Sequence, residues 1–169
     1  MFQTRKPHVN PNAVYRDIAM AACVFLGAFD GTNGGSNQTI NDSSTNNWTV
    51  TRSGTPNMGT VSPQSPQNWS VEFIGSSSTY LHTPGSSDFN FGTGDLTCEG
   101  FVYVAGAVAA CDLIGNMTGT TAADWSVGIS ATGALQLQIG TTVSATAASL
   151  ITRNKWHHWA VARTQGYIR

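Results

Sequence analysis

The residues best able to do acid–base chemistry are nine carboxylates spread singly along 169 residues: Asp17, Asp30, Asp42, Glu72, Asp88, Asp95, Glu99, Asp112 and Asp124. Cleaving a glycosidic bond takes two carboxyl groups flanking one bond, an acid and a base or nucleophile. A Glu-x-Asp-x-x-Glu spacing, which sets such a pair on one strand face, is absent. Glu99 sits in the most regular strand pattern and is the single candidate acid. Without a partner, it is expected to bond to neighbouring backbone or arginine rather than to catalyse. His157 and His158 invite a metal reading, yet adjacent strand residues point to opposite faces and do not share an ion. Gly92-Thr93-Gly94 lacks the lysine and helix of a phosphate loop, and no nucleophile elbow marks a serine. Cys23, Cys98 and Cys111 are odd in number and widely spaced, which suits reduced, packed thiols better than zinc ligands or a disulfide scaffold. The expectation is a protein that is not an enzyme.

Charge narrows the partners. Only 10% of residues are Asp, Glu, Lys or Arg and the net charge is -1, so no broad field draws nucleic acid or an anionic membrane. The apolar run Ile18 to Phe29 falls short of the ~20 residues that span a bilayer. With Asp17 abutting it and no small-residue cleavage site before Asp30-Gly31, it also reads poorly as an export signal. Sequons at Asn37, Asn41, Asn47, Asn68 and Asn116 arise readily in a chain this rich in Asn, Ser and Thr.

The positioning elements read as strands. Gly, Ser, Thr and Asn are abundant while strong helix formers are scarce, a balance that favours short strands joined by turns. Residues 1–20 form a separate N-terminal arm, with a short helix expected from Ala13 to Ala22 after an Asn12 cap. The buried-looking run Cys23-Val24-Phe25-Leu26 opens the strands, and the turn cluster Asp30 to Gly35 ends it. Asn47 to Arg52 follows as a short strand. Ser53 to Gln67, with Pro56, Pro63 and Pro66, reads as a surface loop. Trp69 to Phe73 alternates, with Tyr80-Leu81-His82 as its expected neighbour.

In Leu96 to Val104, Leu96, Cys98, Gly100, Val102 and Val104 face one way and Thr97, Glu99, Phe101 and Tyr103 the other, both faces being expected under cover. Ala110 to Ile114, Trp125 to Ile129, Leu135 to Ile139 and Trp156 to Arg163 complete the set. A glycine-containing turn at Ala131-Thr132-Gly133 joins two of them into a hairpin. Eight or nine short strands favour a jelly roll or related sandwich over residues 21–169.

Four pieces in fixed order carry a resemblance: Phe29-Asp30-Gly31, Tyr80-Leu81 after a Gly-Ser stretch, FNFGTGDLTCEGFVY from Phe89 to Tyr103, and KWHHWAVAR from Lys155 to Arg163. Together they resemble the laminin G-like branch of the concanavalin A-like lectin/glucanase superfamily over roughly residues 25–169. There, a Phe-x-Phe-Gly-x-Gly-Asp turn leads into a core strand of the type Phe-Thr-Ile-Glu-x-Trp-Val, and a later strand reads Trp-His-His-Val-Ala-x-x-Arg. Here Leu96 and Cys98 replace the usual apolar pair, Phe101 stands where Trp is common, and Trp159 replaces a small aliphatic residue. Trp156, Ala160 and Ala162 are expected to pack sheet against sheet.

The resemblance implies an all-β, concanavalin A-like jelly-roll sandwich. Relatives continue past the Trp-His-His strand with a Tyr-Val-Asp-Gly hairpin and further strands, so closing strands are expected from a longer chain or a second subunit. It also implies a non-catalytic structural or adhesion role on a virus particle, as a bacteriophage surface, decoration or fibre-associated protein. The partners would be other virion proteins, further copies of the chain, and host or surface glycans, with Arg5, Lys6 and Arg16 of the arm meeting an acidic neighbour. The alternative is an extracellular bacterial lectin-like module, with Trp48, Trp69 and Trp125 as candidate sugar platforms by type alone. No cofactor is expected; calcium, which occurs in some laminin G-like and pentraxin relatives, stays open as an unsupported alternative with no ligands assigned to positions here.

Overall fold

The computed structural model describes residues 23–28, 40–59, 63, 70–73, 78–92, 94–116 and 124–169. The arm over residues 1–20, its helix, the Asp30 to Gly35 turn and Trp69 lie outside them. Strands make up all the described regular structure except one 3-10 turn, Ser87–Phe89, where the Ser86 hydroxyl accepts from the Asp88 N–H. The all-β expectation is met. The chain divides into two compact units, residues 1–62 with 66–84 and residues 63–65 with 85–169.

Among the described residues the first unit holds six short strands: β1 (Gly27–Ala28), β2 (Asn41–Asp42), β3 (Thr51–Ser53), β4 (Asn57–Gly59), β5 (Ser70–Glu72) and β6 (Tyr80–His82). They pair antiparallel as β1 with β2, β3 with β6 and β4 with β5. Three expectations are corrected. The first strand is Gly27–Ala28 rather than Cys23 to Leu26, and Leu26 is exposed. The proline-rich stretch holds β4, anchored by the buried Met58. Tyr80 to His82 pairs with β3, not with the strand around Val71.

What fastens residues 23–26 is polar. The buried Asp42 carboxylate accepts from the Leu26 and Ser44 N–H groups at 2.8 and 2.9 Å, the Ser44 hydroxyl at 2.7 Å and the Trp48 N–H at 2.9 Å. The Val24 carbonyl accepts from the Ser44 hydroxyl, the Asn46 amide and the Trp48 indole, at 3.2, 3.1 and 3.0 Å. Burial alone raises the Asp42 pKa, but these hydrogen bonds outweigh it and hold the carboxyl below its ordinary value. A group depressed in the folded state stabilises above its unfolded pKa, about 3.9 for Asp. That contribution disappears as pH falls through the lower folded value. Protection of the Leu26, Ser44 and Trp48 amides from hydrogen exchange is therefore expected to decline in acid. Asp42→Asn should lower it at neutral pH by about 1–3 kcal/mol, and the gap between variant and parent should close as the parent is acidified.

The second unit follows the sequence pattern more closely. β7 (Leu96–Tyr103), β8 (Cys111–Gly115), β9 (Trp125–Ile129), β10 (Leu135–Ile139), β11 (Thr142–Ala145), β12 (Trp156–Thr164) and β13 (Tyr167–Ile168) form two antiparallel sheets, ordered β11-β10-β9-β8 and β13-β12-β7. The β9–β10 hairpin turns through Ala131-Thr132-Gly133, with Gly133 at φ +76°. Trp125, Val127 and Leu137 of one sheet meet Trp159 and Val161 of the other in a single buried cluster. That is two sheets across one core, an arrangement compatible with a β-sandwich.

Two details differ from expectation. The core face of β12 is Trp159, Val161 and Arg163, whereas Ala160 is exposed and Trp156 half-buried. The face of β7 bearing Thr97, Glu99 and Phe101 is open rather than covered; the strand buried on both faces is β9. β12 lies between β13 and β7, and β7 has β12 as its single partner among the described strands. The last residues return along β12 as β13, with Ala162 and Arg169 exchanging both backbone hydrogen bonds.

Candidate functional site

Alternation on β9 and β10 builds a groove. Trp125, Val127 and Ile129 point to one side and Ser126 and Gly128 to the other; across the hairpin, Leu135, Leu137 and Ile139 alternate with Gln136 and Gln138. Register then lines up two transverse rows on the outer face. Asp112 lies opposite Gly128, which lies opposite Gln136, while Ser126 lies opposite Gln138, which lies opposite Val143. Small residues on β9 leave a trough of about 220 Å³ between the longer side chains of β8, β10 and β11. A β-bulge between Asp112 and Ile114 keeps Asp112 on the groove side while both Leu113 and Ile114 pack on the core.

Gly128 is required by contact as well as by shape. A Cβ there would stand 2.6 Å from the Cys111 carbonyl oxygen and 3.0 Å from Asp112 Oδ1. Gln138 donates to the Gly140 carbonyl at 2.9 Å, which orients its amide. Cys111 is exposed rather than packed, correcting the sequence reading. Its pKa is raised by desolvation and by the Asp112 charge, against a hydrogen bond from the Ile129 backbone, which favours the thiol form. Cys98, half-buried against the core, is pushed up to about 11 by burial. Cys23, Cys98 and Cys111 all carry free thiols.

The residues singled out from sequence are not brought together. Glu99 is exposed, with His158 Nε2 3.5 Å from its carboxylate. His158 also stacks near Phe101, ring centroids 4.9 Å apart, on the outer face of β12. His157 Nε2 lies 3.0 Å from the Thr152 backbone nitrogen, so the adjacent histidines serve different surroundings. Among the described residues, no three His, Cys, Asp or Glu side chains gather as a metal site would require. Trp125 is 3% exposed, stacks on Phe91 and donates to the Phe89 carbonyl at 2.7 Å, which makes it core and removes it as a sugar platform. Trp48 spends its indole N–H on Val24. Gly92 and Gly94 flank a turn closed by the Gly94 N–H to the Phe91 carbonyl and followed by a strand, not a helix. The Asn116 amide donates to Asn90 Oδ1 at 2.8 Å and to the Phe89 carbonyl at 3.4 Å, and a glycan on it would leave one N–H for the two acceptors.

No protein-family model, curated protein or solved structure matches this chain.

Sequence reasoning missed Arg163. Its side chain is 7% exposed; Nε donates to the Gly94 carbonyl at 2.7 Å, and Nη2 donates to the Gly94 and Phe91 carbonyls. The last arginine of the KWHHWAVAR motif thus pins the Phe91–Gly94 turn that starts β7. The signal was an arginine three residues beyond the Ala of a strand motif, in phase with Trp159 and Val161.

Proposed function

We propose that the chain is a non-catalytic structural or adhesion component of a virus particle, a bacteriophage surface, decoration or fibre-associated protein that displays a lectin-like sandwich of the concanavalin A-like type. The observation that carries this reading is the open face of the β13-β12-β7 sheet. Phe101 is 44% exposed and Tyr167 72% exposed there, with the Tyr103–Trp156 ring pair between the strands. Exposed apolar surface on a sheet, beside an edge strand without a described second partner, suits packing against neighbouring subunits. The setting on a particle comes from the resemblance of residues 25–169 to laminin G-like modules.

A second reading, an extracellular carbohydrate-binding module, is favoured by the polar groove over β9. Density-gradient fractionation of particles from cells that encode the chain separates the two. Co-banding with intact particles at a constant copy number is the expected result, and recovery solely as free protein would favour the second reading. In either case incubation with soluble polysaccharides should release no reducing ends; release abolished by Glu99→Gln would overturn the non-catalytic assignment.

A further inference from the structure

We infer that the groove across β8–β11 is a binding site for a neutral sugar ring, deepening the carbohydrate-binding reading and resting on it. The lining sets the ligand class by elimination. One carboxylate, Asp112, is too few for a resident cation, which takes several charged or carbonyl oxygens. Among the described residues no lysine or arginine lines the groove, so a phosphate or sulfate would meet Asp112 uncompensated. A purely apolar ligand would strand the Asp112 carboxylate and the Gln136 amide. A neutral polyol satisfies them, because each sugar hydroxyl both donates and accepts.

Spacing agrees. Asp112 and Gln136 face each other across Gly128, two strand spacings apart, roughly 9.5 Å between backbones. The missing side chain of Gly128 opens the gap between an acceptor-only carboxylate and an amide that both donates and accepts. Gln138, oriented by its bond to Gly140, leaves its carbonyl oxygen to accept, and Val143 supplies an apolar contact for ring C–H groups. At about 220 Å³ the trough is smaller than the ~300–1,000 Å³ of drug-sized pockets, which fits one ring held in an open groove.

The test uses the full ¹⁵N-labelled chain, a glycan array of neutral and anionic oligosaccharides, and titration with maltohexaose, cellohexaose and the best neutral array ligand. Expected are array binding to a neutral glycan, shifts of the Gln136 and Gln138 side-chain amide signals on titration, and affinity weakened on the order of tenfold by Gln136→Ala or Asp112→Asn. Circular dichroism of the variants should match the parent. Neutral-glycan binding that moves other signals and survives both substitutions would overturn the groove while leaving the carbohydrate-binding reading standing. Binding of anionic glycans alone would overturn the ligand class, and an array with no binding would overturn both.

Discussion

Trp159→Ala is expected to destabilise the second unit by about 3–5 kcal/mol, the cost of emptying a large buried aromatic position. Trp159 belongs to the one cluster that joins both sheets, so its loss leaves a void where they meet. The more specific expectation concerns its partner. Gly100 lies opposite Trp159 in the β7–β12 register, and a Cβ on residue 100 would stand 3.1 Å from the indole ring. Gly100→Ala should therefore destabilise the parent by about 1–3 kcal/mol through overpacking. In a Trp159→Val background the indole is gone and the added methyl occupies space, so the same substitution should become neutral or stabilising. Chemical denaturation of the four proteins, read as a double-mutant cycle, checks this; additive effects would show that the glycine does not accommodate the indole.

Arg163→Met is the second large effect. The guanidinium bonds the Phe91 and Gly94 carbonyls from a buried position, and methionine fills the stem without replacing the donors. A loss of about 1.5–3 kcal/mol is expected, the range for hydrogen bonds to a charged group. It should be local. Amides around Gly94 and the start of β7 should lose hydrogen-exchange protection more than those of β9 and β10. Uniform loss across the unit would mean that Arg163 supports the core as a whole rather than the turn.

How much the sequence revealed depended on how strongly each strand alternates. Trp125 to Ile129 and Leu135 to Ile139 were legible to the residue, because large apolar side chains alternate with Ser, Gly and Gln and a glycine turn joins them. The β12 face was misread because both of its faces carry apolar residues, and a shift of one residue exchanges the faces completely. An arginine in phase with the buried positions deepened that ambiguity. β4 was hidden among prolines, since three residues with one buried side chain leave no period to detect. Tyr80 to His82 was recognised as a strand but given the wrong partner, because a strand's own residues do not specify its neighbour when several short strands compete.

The groove shows the same limit. Gln136 and Gln138 lie in a readable strand, whereas Asp112 and Gly128 become neighbours only through pairing across a bulge. The Asp42 cluster depends on carbonyl and N–H groups of residues 24–26, which carry no side-chain signature at all. The resemblance pointed to the strands that build the core, not to the groove over β9.

The central claim, display of this chain on a particle, is tested most directly by electron microscopy of intact particles with gold-labelled antibodies raised against the folded protein. The account predicts label at regular positions on the outer surface of undisrupted particles. Particles that stay unlabelled, or that label only after disruption, would contradict it.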